Sequence, residues 1–122
     1  MNRLFEQFLF SFTKMLTSIH GQINLSAAGA VVSSTIRGAV VTKTGTGQYT
    51  VTLDAKFNAL MCVNLTLQAA TAVDLVPQVV STDVAGNKTI VFKLLAGATA
   101  TDPSAVCVVH FNAFLRNSSV VK

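Results

Sequence analysis

The chain of 122 residues has no tryptophan and a single tyrosine, Tyr49, which leaves few aromatic platforms on which a sugar could stack. Charge is also scarce. Only 11% of residues are charged, against roughly 25% in an ordinary soluble domain, while 51% are hydrophobic. With so few charges to coat its exterior, the surface is expected to be covered by copies of the chain itself or by a larger body. The net charge is +4, but the basic residues Arg3, Lys14, Arg37, Lys43, Lys56, Lys88, Lys93, Arg116 and Lys122 stand singly. No basic run marks a nucleic-acid surface, so nucleic acid is excluded as a partner.

No stretch approaches the roughly 18 to 20 apolar residues that cross a bilayer, which argues against a membrane partner. Glu6 and Lys14 interrupt what would be the apolar part of a signal peptide, and synthesis in the cytoplasm is expected. The glycosylation patterns at Asn64, Asn87 and Asn117 then read as coincidences.

Chemistry-bearing clusters are missing as well. The acids are Glu6, Asp54, Asp74, Asp83 and Asp102, and most fall in candidate turns, where Asp is favoured because it bonds nearby backbone N–H groups. Cys62 and Cys107 lack CxxC spacing and read as buried thiols. A site built from Cys62, Cys107 and His110 is disfavoured, because residues 107 and 110 project to opposite faces of one strand. His20 suits a helix C-terminus. No Gly-x-Ser-x-Gly occurs, and Thr44-Gly45-Thr46-Gly47 lacks the lysine of a phosphate loop. The expectation is a protein that is not an enzyme, with no catalytic residues, no cofactor and no metal.

What the chain does have is an apolar stripe near its beginning. At helical spacing Leu4, Phe5, Phe8, Leu9, Phe12, Met15, Leu16 and Ile19 share one arc of about 140°, and only Phe10 breaks the pattern. Asn2 suits an N-cap and Gly21 a C-cap, so an amphipathic α-helix is predicted over residues 3–20. Each large side chain gains about 1.5 to 3 kcal/mol on burial, so this stripe needs shelter, on its own sheet or on a partner.

Beyond the helix the period becomes two. The spacing divides the chain into an N-terminal helix (1–21), an extended connector (22–35) and a β domain (36–122). Residues 36–43 and 48–53 flank Thr44-Gly45-Thr46-Gly47 as a hairpin. Met61, Val63, Leu65 and Leu67 form one buried face, and Pro77 belongs at a strand's start, at an edge or at a bulge. A second hairpin turns at 83–87. Residues 105–115 make the longest strand, with Cys107, Val109, Phe111, Ala113 and Leu115 on one face. The fold class predicted is mainly β, an antiparallel β-sandwich or jelly-roll-like domain preceded by one amphipathic helix.

Several segments resemble small bacteriophage virion proteins of the capsid decoration (cement) and head-fibre type: residues 45–54 (GTGQYTVTLD), 88–92 (KTIVF), Asp102-Pro103, and the closing run from Phe111 to Val120. The resemblance implies a β-rich subunit, often a homotrimer, bound to the major capsid protein or another virion protein. Its location would be the virion. The expected function is that of a decoration subunit that stabilises the phage head through multivalent contacts, with the helix stripe as anchor or trimerisation element. A head-fibre or tail adaptor is the alternative. A small carbohydrate-binding module is a third, requiring the loops at Asp54, Asp83 and Asp102 to converge.

Overall fold

A computed structural model describes residues 16–116 of the chain. Among these residues are nine strands and no helix: β1 (Leu16–Leu25), β2 (Val31–Ser34), β3 (Ala39–Gly45), β4 (Gln48–Leu53), β5 (Ala59–Ala69), β6 (Val76–Asp83), β7 (Thr89–Ala96), β8 (Thr99–Ala100) and β9 (Cys107–Arg116). They form two antiparallel sheets. The first has the order β2-β1-β9-β5; the second has the order β3-β4-β7-β6, with β8 added to β7. The hairpins β1–β2, β3–β4 and β6–β7 each stay within one sheet, and the fold is mainly β with two antiparallel sheets, as expected.

Strand alternation builds the core. The inward residues of β9 (Cys107, Val109, Phe111, Ala113, Leu115) face those of β4 (Tyr49, Val51, Leu53) and β7 (Ile90, Phe92, Leu94), and all are buried. Tyr49 and Phe92, register partners on β4 and β7, stack with ring centroids 5.4 Å apart. At the sides of the sandwich β2 approaches β3 and β5 approaches β6.

The two hairpins read from the sequence are present. Pro77 lies in β6, an edge strand with β7 as its neighbour, where a missing N–H costs no ladder bond on the open side. The turn after β6 is held by the Asp83 carboxylate, which accepts the N–H groups of Gly86 and Asn87 at 3.1 Å each. In β5 the register shifts between Leu60 and Cys62, and this bulge turns Met61 outward. Only Val63, Leu65 and Leu67 of the predicted face point toward the core.

The beginning of the domain differs from expectation. The helix predicted to reach residue 20 is corrected over residues 16–20, which belong to β1 and pair residue by residue with β9. Ile19, Ile23 and Leu25 point inward while Ser18, His20 and Gln22 point outward, a period of two that the helical stripe had hidden. Gly21 is no helix cap: a Cβ there would lie 2.8 Å from the Ile36 backbone nitrogen, so the loop after β2 passes close beneath it. The predicted connector 22–35 contains the last four residues of β1 and all of β2. The sandwich therefore includes β1 and β2 as well as the residues from 36 onward.

Phe92 is fully buried at the centre of the second sheet. Phe92→Ala is expected to cost about 3 to 5 kcal/mol, whereas Val40→Thr, at a position 59% exposed, should stay within about 0.5 kcal/mol. Urea unfolding of the two variants beside the parent checks both values.

Candidate interaction surfaces

The register that buries one face of each sheet fixes what the other face presents. Across the first sheet, from β1 to β9 to β5, the outward rows are Ser18, Phe114 and Cys62; His20, Asn112 and Asn64; Gln22, His110 and Thr66; then Asn24, Val108 and Gln68. None of these twelve positions is Lys, Arg, Asp or Glu; Arg116, at the end of β9 opposite Ala59, adds a cation at the margin of the face. Neutral polar groups instead bond to one another: His110 Nε2 and Gln68 Oε1 are 2.6 Å apart, Asn24 Nδ2 donates to Ser33 Oγ at 2.9 Å, and Ser18 Oγ lies 3.2 Å from His20 Nδ1. Such a face is cheaper to desolvate than a charged one, and charge depletion is what distinguishes the centre of a protein interface.

The outer face of the second sheet mixes β-branched residues with polar and charged ones. Its rows run Val40, Thr52, Thr89 and Asp83, then Thr42, Thr50, Val91 and Ser81, then Gln48, Lys93 and Gln78. Val40, Val76 and Val80 are 47 to 65% exposed.

One end of the sandwich is tied together by Asp102. Its carboxylate accepts the Gly47 N–H at 2.7 Å and meets Lys43 Nζ at 3.0 Å, joining the β8–β9 loop to the β3–β4 hairpin. The Gly47 N–H first, and then Lys43, hold this carboxyl below the usual carboxylate range. Gly47 is required here, with φ +62° and with space for a Cβ closed by the Thr101 backbone at 2.6 Å. Beneath the loops the buried Tyr49 hydroxyl donates to the Gly29 carbonyl at 2.6 Å, adding the β1–β2 turn to the same knot. Burial, and then the Asp102 charge, push the Tyr49 phenol up to about 12.

The residues considered for chemistry do not come together. Asp54 and Asp83 stand at the end of the second sheet where β4 and β6 finish, while Asp102 stands at the other, roughly a strand length of 17 Å away. Cys107 is buried in the core and Cys62 is exposed on the outer face, which corrects the reading of both as buried. Both thiols are free. They are seven rungs apart along the β5–β9 ladder, and His110 is occupied with Gln68. Among the described residues no three His, Cys, Asp or Glu side chains gather in a way that could hold a metal ion, and no helix is long and apolar enough to cross a membrane.

Of the predicted apolar stripe, Ile19 lies in the core beside Gly38 and Leu16 opens β1. Leu4, Phe5, Phe8, Leu9, Phe12 and Met15 lie outside the described residues. No protein family, curated protein or solved structure matches the chain.

Tyr49 is the chain's one tyrosine, so ultraviolet absorbance reads it without interference. Its pKa is raised on folding, so its contribution to stability is complete below the unfolded value near 10 and is lost as pH rises toward 12. Phenolate absorbance in the folded chain should accordingly appear only near pH 12. Tyr49→Phe, which leaves the buried Gly29 carbonyl without its donor, should lose about 1 to 3 kcal/mol at neutral pH in denaturant titrations. Asp102 carries the opposite sign: its pKa is lowered, so its stabilisation is present above the unfolded value near pH 4 and fades as pH falls below it. Melting curves from pH 2 to 7 should show a shallower acid decline for Asp102→Asn than for the parent.

Proposed function

We propose that the chain is a non-enzymatic structural subunit of a bacteriophage virion, of the capsid decoration type, that works by binding its neighbours on the particle. The observation that carries this reading is the outer face of the first sheet, where four successive rows across three strands present only neutral side chains and Arg116 stands at their margin. A soluble monomer gains nothing from leaving such a face bare, since charge is what keeps a surface hydrated and dispersed. A subunit that spends its working life against other subunits does gain, because no ion has to be stripped of water when the contact forms.

The second support is the exposed valines of the other sheet, which give that face apolar contact area as well. Two binding faces on one rigid sandwich suit a lattice. Joined as a homotrimer, such subunits would present several weak contacts at high effective concentration, so that retention on the particle exceeds what one contact supplies. The N-terminal segment with Leu4, Phe5, Phe8, Leu9, Phe12 and Met15 enters this proposal as an anchor or trimerisation element outside the sandwich. Leu16 and Ile19 leave the anchor, since they belong to β1.

The test is mass and particle binding. Sedimentation at micromolar concentration should give three times the 12.9 kDa chain mass, and the protein should co-sediment with phage heads. Removing residues 1–15, which spares β1, should reduce the mass or the retention while leaving the β-rich circular dichroism intact. A clean monomer that does not bind heads would overturn the proposal.

A further inference from the structure

All ten residues of β1 pair with β9, but only Ile23, Asn24 and Leu25 pair with β2. The β2 side of the ladder ends at Gln22, whose carbonyl accepts the Thr35 N–H at 2.9 Å and whose own N–H donates to Thr35 Oγ1 at 2.8 Å. Backbone groups of alternate strand residues point the same way, so Ser18 and His20 aim their N–H and C=O groups along this same edge, past the last rung. Among the described residues nothing pairs with them there. The chain leaves the space open because Ile36 tucks beneath Gly21 into the core and Arg37 stays outside, exposed.

A cleft of about 290 Å³ occupies the position where a longer β2 would run, lined by Ser18, His20, Gly21, Thr35 and Arg37. That is at the bottom of the range for small-molecule pockets, about 300 Å³ and upward, and suits a short length of extended peptide better. An uncovered strand edge is a template for pairing, and strand addition is a recurrent mode of peptide recognition.

We infer that the uncovered edge of β1 at Ser18 and His20 is a strand-addition site for an extended segment of a partner protein that bears a carboxylate opposite Arg37. The partner's chemistry follows from charge. Arg37 has no carboxylate within ion-pair distance among the described residues, even though the Asp54 N–H bonds the neighbouring Gly38 carbonyl. A second copy offering the same edge would bring its own Arg37 to the slot, like charge against like. An acidic strand instead satisfies both the open backbone groups and the guanidinium. The Ser18 hydroxyl and His20 ring, on the adjoining outer face, are placed to meet its polar side chains. This site does not depend on the virion reading: a chain that fails to trimerise or to bind heads retains the same edge.

Amide hydrogen exchange of the full chain, read by NMR at Ser18 and His20, tests the inference with two capped peptides, Thr-Val-Asp-Val-Thr and Thr-Val-Asn-Val-Thr, at millimolar concentration. In the free chain both amides should exchange quickly at every protein concentration. The aspartate peptide should slow them about tenfold, and the asparagine peptide should bind about three- to fivefold more weakly, as an exposed ion pair allows. Arg37→Gln should make the two peptides equal. Ser18→Pro removes an N–H that points into the slot and none that pairs with β9, so it should abolish protection at His20; if it unfolds the chain, Arg37→Gln decides the matter. The inference is overturned by protection already present in the free chain, which assigns the edge to residues 1–15. Protection that grows with protein concentration assigns it to a second copy and overturns it equally. So does a lack of protection by either peptide, or equal binding of the two by the parent chain.

Discussion

The ladder that β9 makes with both its neighbours is the constraint on which the rest of the structure depends. Its ten residues pair with β1 on one side and with β5 on the other, so two strands distant in sequence are placed by a third that is synthesised after both. Until β9 arrives, neither β1 nor β5 has its main partner, and the first sheet cannot bury its inner face. Contacts of this span are the slow, costly part of assembling an all-β domain, because a long loop must close before the pairing stabilises it. The side chains of β9 match that duty, with every inward position buried and Phe111 and Leu115 among the largest groups in the core.

How much of this was legible follows from how far the signals reach along the chain. The β3–β4 and β6–β7 hairpins were readable because strand alternation and turn residues sit side by side in the sequence, as at Gly47 and at Asp83. β1 was not, since Leu16 and Ile19 fit a helical stripe as well as they fit a strand. The strand's second half also leads straight into the run Ser26-Ala27-Ala28-Gly29-Ala30, which hid its end. Pairing with β9 settled what local pattern left open, which is the ordinary way tertiary context overrides propensity. The Asp102 knot was least visible. Asp102 and Gly47 are 55 positions apart and Tyr49 and Gly29 are 20 apart, so nothing in either neighbourhood announces its partner.

The neutral outer face and the charge-poor composition have one cause. A strand devotes every second residue to the core, so the total charge of a sandwich is set by what its outward residues carry. Here the four central outward rows of the first sheet carry Ser, His, Gln, Asn, Thr, Val, Phe and Cys, Arg116 stands at their margin at the end of β9, and the other charges of the described residues are left to turns and to the second sheet. The shortage seen in the sequence is therefore localised in the structure rather than spread evenly over it.

The two sides of β1 show what this arrangement keeps fixed and what it leaves available. At its far end the β1–β2 turn is sewn to the hairpin and to the β8–β9 loop through Gly29, Tyr49, Gly47 and Asp102, with a buried hydroxyl and an ion pair closing the joint. Toward its start, β2 stops short, and among the described residues the edge has Thr35 and Arg37 beside it. Natural sheets protect an edge by shortening it, charging it or covering it, and this edge has a single charge and a short gap. A gap of that length is too small to drive indiscriminate sheet extension, yet long enough for a few directed hydrogen bonds. Rigidity at one end also lowers the cost of binding at the other, since the strand that would receive a partner is already held over its full length by β9 and has little freedom left to lose.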